Sequence, residues 1–333
     1  MSREFFRKVT DKQHIKLSYV THFYCNQQDI SEVINLLRGY EKMPAEVLDH
    51  VQFVIVDDCS PVEYDIPEFD LNLTWLRITT DIPWNQGGSR NLGVTYAKSD
   101  KILMTDLDHV LPESTFTYLI NAANPGRTFY KLYRQDENGK TYKGHSNLFF
   151  MSRARFFRFY GYDEEYCGHY GAEDYRFVKL QKYNGSRQRY LPKSVYAQER
   201  IVDREKSYHT LDRDLSYNTP VDKRKHDEIC TYGAEAGHSR LFLDFEWKIL
   251  KSVSRPQPAE RKKCPVGKPA GGCAGCLHHW QNKTYRHKKS AFRRFFYVCC
   301  SECFAVLSND SSSTGQIKNE CSDVFHNQLL RLN

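Results

Sequence analysis

The chain has 333 residues, of which 40% are hydrophobic, and a formal net charge of +7. This composition excludes a disordered chain, and no apolar run approaches the roughly 20 residues that a membrane span needs. The first residues are charged and lack the apolar stretch of a signal peptide, so we expect a cytoplasmic protein. Four cysteines are scattered singly, which favours reduced thiols over a disulfide framework: Cys25, Cys59, Cys167 and Cys230.

The first half of the chain alternates strand-like and helix-like segments. We predict strands at 17–23, 51–56, 73–78 and 101–105 from their apolar runs. Between them we predict a helix that is capped by Asp29 and stopped by Gly39, a helix over 89–98, and a helical face from Phe116 to Ala123. The alternation predicts an open α/β sheet flanked by helices.

The second half is less regular. Strands are predicted at 128–134 and 147–152, joined by a turn at Asn138 and Gly139, and helices at 154–160 and 173–183. Residues 255–294 hold eleven Lys and Arg against one acid, a net charge of +10 that leaves −3 for the rest. We therefore divide the chain into a domain over 1–254 and a basic, Cys-rich region over 255–333.

Four motifs carry candidate chemistry, and each of them follows a predicted strand or opens a predicted helix. They are residues 56–61 (Val56-Asp57-Asp58-Cys59-Ser60-Pro61), residues 84–93 with Gly87-Gly88-Ser89-Arg90-Asn91, the triplet Asp106-Leu107-Asp108, and residues 161–175, which end in Tyr170-Gly171-Ala172-Glu173-Asp174-Tyr175.

The acids of these motifs suit a phosphate-binding metal site with a general base. Asp106 and Asp108 end an apolar strand, where carboxylates can hold Mg²⁺ or Mn²⁺ against a diphosphate. Arg90 lies near a Gly-rich helix start that favours an anion, and Asp174 opens a helix where a carboxylate can accept a proton. Ordinary turns and helix starts also favour such residues, so each motif alone leaves that simpler interpretation open.

Taken in order, the four motifs resemble the inverting glycosyltransferases of GT-A fold and family 2 type. The Glu173-Asp174 segment is similar to that of β-1,4-galactosyltransferases and chondroitin-polymerase-type enzymes. The resemblance covers roughly residues 15–220 and implies a nucleotide-sugar donor, a UDP-sugar first, with Mn²⁺ or Mg²⁺ as cofactor. It implies transfer to a hydroxyl of a glycan or polysaccharide.

The resemblance also implies a role for each matching residue. Asp57 and Asp58 match acids that contact the uracil or ribose, and Arg90 matches a basic residue near the nucleotide. Asp106 and Asp108 match the metal-binding pair, with Asp108 favoured as the direct ligand. The remaining roles are the catalytic base for Asp174, an acceptor-binding acid for Glu173, a late metal ligand for His209, and a base-stacking aromatic for Tyr24.

Some points of this assignment stay open at the level of sequence. Tyr170 and Ala172 depart from the Trp and Gly of the family pattern, so acceptor identity is not carried over. His209 could equally be a packed imidazole, and Tyr24 a core aromatic.

The basic region allows several further interpretations. Two C-x2-C pairs, formed by Cys273, Cys276, Cys300 and Cys303, predict either a structural Zn²⁺ module or a partly disordered tail. Cations lie beside aromatics up to residue 297, which fits peripheral contact with the inner face of a membrane, a polyanion or nucleic acid. An alternative function is therefore glucosylation of a modified nucleic-acid base, with this region binding DNA. A sugar-nucleotide-binding scaffold without turnover and a nucleotidyltransferase fit the motifs less well.

Overall fold

The computed structural model describes residues 14–144 and 147–256. The predicted zinc ligands Cys273, Cys276, Cys300 and Cys303 and nearly all of the basic region lie outside these residues. The division of the chain near residue 254 therefore stays a prediction.

A mixed sheet of eight strands forms the centre of the fold, in the order β10-β6-β9-β4-β1-β2-β3-β12. Strands β3, β2, β1 and β4 run parallel, whereas β9 and β12 are antiparallel to their neighbours in this group. The strand bounds are β1 Leu17–Phe23, β2 Val51–Asp57, β3 Asn72–Ile78, β4 Lys101–Met104, β5 His109–Val110, β6 Thr128–Lys131, β7 Tyr133–Gln135, β8 Thr141–Lys143, β9 Phe149–Ser152, β10 Arg187–Tyr190, β11 Tyr196–Glu199 and β12 Trp247–Ser252. A smaller sheet has the order β5-β11-β7-β8.

Helices cover both faces of the large sheet, which confirms the predicted α/β class. Their bounds are α1 Ser31–Tyr40, α2 Ala45–Leu48, α3 Gln86–Tyr96, α4 Glu113–Asn121, α5 Arg153–Arg158, α6 Glu173–Tyr183 and α7 Asn218–Tyr232. Alternate strand residues point to opposite faces. Thus Tyr19 and Phe53 pack with Phe116 of α4, whereas Val20 and Val54 belong to a second core with Leu92 of α3.

Helix α3 lies directly against β1 because Gly93 has no side chain. A Cβ atom at Gly93 would lie 2.5 Å from Cγ1 of Val20, closer than side-chain atoms tolerate. The close approach brings the first turns of α3, with Arg90, over the carboxyl ends of the strands.

Several predicted boundaries are wrong in ways that have a physical reason. Helix α1 runs through Gly39 and begins after Ile30, while the Asp29 carboxylate accepts a hydrogen bond from the Ser31 N–H at 2.9 Å. Helix α3 begins at Gln86, so both glycines of the second motif are helical and Arg90 is the fifth helical residue. The segment predicted as one strand over 128–134 is two, because Leu132 separates β6 from β7, and its turn leads into β8 rather than β9.

No helix in the described residues is long and apolar enough to cross a membrane. The four cysteines in this part of the chain are free thiols, as the spacing predicts: Cys25, Cys59, Cys167 and Cys230.

Candidate active site

One pocket lies at the carboxyl ends of β1, β2 and β4, the edge where ligands bind in open α/β sheets. The backbone N–H of Asp58 donates to the Phe23 carbonyl at 2.8 Å, and that of Thr105 to the Val20 carbonyl at 3.1 Å, so the three strand ends are held side by side. The lining residues include five predicted site residues, Tyr24, Asp58, Asp106, Asp108 and His209, together with His22, Phe23, Trp84, Gln86, Leu107, Ser207, Tyr208 and Leu211.

The two acids that end β2 have different environments. The Asp57 side chain is fully buried, and its carboxylate accepts hydrogen bonds from the Tyr64 hydroxyl at 2.5 Å and the Ser60 N–H at 2.8 Å. Arg77 lies 3.4 Å away. Asp57 is thus part of a buried network behind the pocket, while Asp58 lines it. The predicted contact of Asp57 with the donor stays a prediction.

Asp58 is 5% exposed, and burial raises its pKa to about 7. The nearby Ser89 hydroxyl opposes this shift in pKa, and the charge of Asp57 adds to it. The side chain therefore holds its proton to a higher pH in the folded protein than in the unfolded chain. Near neutral pH it can donate a hydrogen bond into the pocket as well as accept one.

Asp58 should make the protein less stable as pH rises. A carboxyl whose folded pKa is raised stabilises the fold while it is protonated, and this contribution is lost between its unfolded pKa and about pH 7. Asp58→Asn removes the titration, so the free energy of unfolding of the variant relative to the wild type should rise by about 1–4 kcal/mol between pH 5 and pH 8. Urea unfolding of both proteins at each pH measures this difference in free energy. A difference that does not change with pH would contradict the raised pKa of Asp58.

Arg90 is the central cation of the site. Its guanidinium is 1% exposed and donates to Asp106 Oδ1 at 2.8 Å and to Asp174 Oδ1. It also lies over the ring of Tyr162, 5.2 Å from the centroid, and Asn147 donates to the second oxygen of Asp106. The cation keeps its charge because these carboxylates raise its pKa against burial. Arg90 therefore connects the metal-side motif with the predicted base.

Glu173 and Asp174 open helix α6 after two residues with left-handed backbone, Gly171 at φ 95° and Ala172 at φ 74°. This conformation is unfavourable for Ala172, which explains why glycine is the pattern at that position. The Tyr162 hydroxyl donates to Asp174 Oδ1 at 3.0 Å.

The two carboxyls of this helix start have raised pKa values. Burial raises the pKa of Glu173 to about 7, and the charge of Asp174 adds to the shift. Burial also raises the pKa of Asp174, while Arg90 opposes the shift. A carboxylate whose pKa is raised is a stronger base, which suits it to accept a proton from a substrate hydroxyl.

Asp108 and His209 both line the pocket. The Asp108 side chain is 39% exposed, with Oδ1 2.6 Å from Nδ1 of His109. The His209 ring contacts Trp84 and Tyr208, and its Nδ1 accepts from the Leu211 N–H at 3.3 Å. Burial, with Arg213 and Arg204 nearby, lowers the pKa of His209 to about 4, so its imidazole is neutral.

These residues fit a metal ion that shares its coordination with a substrate. Among the described residues, no three His, Cys, Asp or Glu side chains are gathered closely enough to hold an ion by themselves. Asp106 is bound by Arg90 and Asn147, whereas Asp108 presents a partly exposed carboxylate to the pocket. Mg²⁺ and Mn²⁺ sites of one or two carboxylates completed by phosphate and water suit this arrangement. His209 would need to give up its bond to Leu211 to coordinate through Nδ1.

The sequence alone indicated no role for several residues of the site. His22, Trp84 and Tyr208 line the pocket, and Asn147 and Tyr162 bind the acids around Arg90. The signal for His22 was available, because it lies in a predicted strand at the same sheet edge. Trp84 reaches the segment of Tyr208 through the long-range contact of its ring with His209, which no local pattern predicts.

The mixed sheet with acids at the carboxyl ends of its parallel strands is similar to that of glycosyltransferases with a GT-A fold. More narrowly, residues 20–178, just under half of the chain, match the sequence profile of Glycosyl transferase family 2, so this part of the chain is similar to the glycosyltransferases of that family. None of the curated protein sequences compared with the chain shows a significant match.

Solved structures resemble the chain at low sequence identity. TarS 1–349 of S. aureus is 19% identical, with 56% of this chain and 60% of that chain covered and a TM-score of 0.42. Mannosyltransferase PcManGT of Pyrobaculum calidifontis, solved with GDP-Man and Mn²⁺, is 17% identical, with 63% and 61% covered and a TM-score of 0.41. The catalytic domain of Drosophila β1,4-galactosyltransferase 7, solved with xylobiose, is 14% identical, with 71% and 87% covered and a TM-score of 0.41. The chain thus spans about three fifths of the length of the first two.

Proposed function

We propose that this protein is a metal-dependent inverting glycosyltransferase. It moves a sugar from a nucleotide-sugar, a UDP-sugar first, to a hydroxyl of a glycan or polysaccharide. The observation that carries the proposal is Arg90, which binds Asp106 on the pocket side and Asp174 at the start of α6 at the same time. Through this cation the metal-side acids and a candidate base form one cluster.

Each residue of the site has a separate role in the proposed reaction. Tyr24 and Asp58 line the part of the pocket beside β1 and β2, where the nucleotide would bind. Asp108, with Asp106 beside it, would hold Mn²⁺ or Mg²⁺, which supplies positive charge to a leaving diphosphate. Asp57 would keep the β2 end in place, and His209 would close the pocket or join the coordination.

The chemical step requires a base opposite the leaving group. Asp174 would take the proton of the acceptor hydroxyl as its oxygen bonds to the anomeric carbon, while the bond from that carbon to the diphosphate breaks. One displacement of this kind inverts the anomeric configuration. Both Arg90 and Tyr162 bind Oδ1 of Asp174, so they fix the orientation of the carboxylate. Glu173 is adjacent and would bind the acceptor.

A thermal-shift panel tests the donor. UDP-, GDP- and dTDP-sugars are each added with Mn²⁺ or with EDTA, and one donor is expected to stabilise the protein only with metal. At a hundredfold excess over Kd, binding contributes about 2.7 kcal/mol, which should raise Tm by about 5–10 °C. The matched free sugar serves as the control. Failure of every sugar nucleotide to shift Tm would contradict the proposal.

Most of the remaining predictions concern residues outside the described part. The cytoplasmic location, contact of residues 255–297 with a membrane, polyanion or nucleic acid, the Zn²⁺ module and the nucleic-acid-base acceptor all stay predictions.

A further inference from the structure

Helix α7 holds the loop that leads to the predicted base. We define this catalytic loop as residues 161–171, between α5 and α6. Asn218, at the start of α7, is 1% exposed. Its Nδ2 lies 3.1 Å from the Tyr166 carbonyl, 2.9 Å from that of His169 and 2.8 Å from that of Gly171. One amide group therefore gathers three carbonyls of the catalytic loop.

A buried ion pair connects α7 with α6. Arg176 lies two residues after Asp174, and its Nε donates to Asp222 Oδ1 at 2.8 Å. Its Nη2 donates to the Asp222 backbone carbonyl at 3.0 Å and also contacts Oδ1. The Tyr166 hydroxyl donates to the same carboxylate oxygen at 3.3 Å. The Arg176 and Asp222 side chains are 2% and 11% exposed. Removing one of them would leave the other charge buried without its partner, which destabilises the fold.

A second buried cation binds the acids of the catalytic loop. Lys225 is 1% exposed, and its Nζ lies 2.6 Å from Asp163 Oδ2 and 2.5 Å from Glu165 Oε2. A fully buried ammonium needs such partners, because it has lost its hydration. Asn218, Asp222 and Lys225 occur at spacings of four and three residues, so they share one face of α7. We call these three residues the α7 bracket.

The catalytic loop in turn contacts the site. The Tyr162 hydroxyl donates to Asp174 at 3.0 Å, and Glu164 accepts from the Asn91 side chain, next to Arg90, at 2.8 Å. Gly171 and Ala172 hold left-handed backbone conformations immediately before Glu173. Such conformations persist where surrounding contacts impose them, and the bracket supplies these contacts.

We propose that the α7 bracket is a set of positioning residues for the glycosyl transfer step. It contacts neither the pocket nor the predicted metal ligands, and it acts by fixing the catalytic loop and the first turn of α6. All three residues lie beyond residue 178, where the family match ends. The inference rests on the proposed function, because it assigns the bracket to the orientation of Asp174.

Asp222→Asn tests the bracket, with Asp49→Asn as the matched control. Asp49 also forms a largely buried pair with an arginine, Arg255, at 2.9 Å, but near the amino end of β2, at the edge opposite to the pocket. Hydrogen exchange of peptides covering 161–176 is measured on the full chain, followed by kcat and KM with the donor that the thermal-shift panel identifies. If Asp222→Asn does not fold, Asn218→Ala is the second variant, because it removes contacts to the catalytic loop without leaving a buried charge unpaired.

We expect Asp222→Asn to speed exchange in 161–176 and to lower kcat about 10- to 100-fold, as a misplaced catalytic group would. The donor-induced shift in Tm and the donor KM should stay within about threefold, because the pocket is untouched. Asp49→Asn should change neither exchange in that segment nor kcat. Faster exchange with unchanged kcat would overturn the proposal, as would equal behaviour of the two variants. If the wild type turns over no donor, the proposed function fails, whereas unaltered exchange in Asp222→Asn refutes the bracket on its own.

Discussion

Asp174→Asn is expected to abolish measurable sugar transfer while the protein still binds its donor. The amide cannot accept the proton of the acceptor hydroxyl, and loss of a general base costs about 10²- to 10⁴-fold in kcat. The fold should persist, because Arg90 keeps its second partner, Asp106, at 2.8 Å. Transfer is measured as release of the nucleotide diphosphate, and donor binding as the metal-dependent rise in Tm.

Glu173→Gln is the control that decides which of the two carboxyls is the base. Both side chains are half-buried at the start of α6, and the loss of solvent raises the pKa of each. If Glu173 binds the acceptor, its variant should raise the acceptor KM and lower kcat less than Asp174→Asn does. Near-normal turnover of Asp174→Asn, together with loss in Glu173→Gln, would transfer the role of base to Glu173.

Asp108→Asn should remove the metal dependence of donor binding. The variant loses the carboxylate that faces the pocket, so the added Mn²⁺ should no longer increase the donor-induced shift in Tm. Transfer should fall about 10²- to 10³-fold in kcat/KM, the equivalent of about 3–4 kcal/mol of lost charge stabilisation. Asp227→Asn, an exposed acid on α7, should behave as the wild type. A normal response to Mn²⁺ would exclude Asp108 as a metal ligand.

Asp106→Asn should differ from Asp108→Asn in a way that the geometry explains. Asp106 pairs with Arg90, which is 1% exposed, so its loss weakens the compensation of a buried charge. We expect the apo protein to lose about 1–3 kcal/mol of stability in this variant. Asp108→Asn should cost less, because the Asp108 side chain is 39% exposed and pairs with a histidine rather than with a buried guanidinium. Thermal unfolding without ligand separates the two residues.

Local sequence patterns were sufficient for most elements of the sheet. The apolar runs of β1, β2 and β3 predict their bounds within a residue, and α6 begins and ends where its pattern predicts. The errors lie at helix starts and in the region after β6. Asp29 binds the Ser31 N–H without being the cap residue, and α3 begins at Gln86, so that the glycines of the second motif are helical. Such choices depend on tertiary contacts that propensity does not contain.

The acids of the candidate site were also visible in the sequence, because carboxylates at the ends of apolar strands are costly to bury without a partner. Their arrangement was not. Arg90 was expected near a nucleotide, which stays a prediction, and its position between Asp106 and Asp174 could not be predicted from the sequence. Asp57 and Asp58 are neighbours in sequence, yet alternation along β2 puts one in a buried network and the other at the pocket.

The sequence by itself determined the α/β class, the order of the motifs and the chemical types of the site residues. These follow from periodicity and from the cost of burying charge, which are local properties. Only the tertiary structure decided which acids share a cation, which acid faces the pocket, and that α7 holds the catalytic loop. Asn218 and Tyr166 are 52 residues apart in the chain, and Arg90 and Asp174 are 84 apart. Pairings at such separations arise from the packing of the whole domain, and no local pattern encodes them.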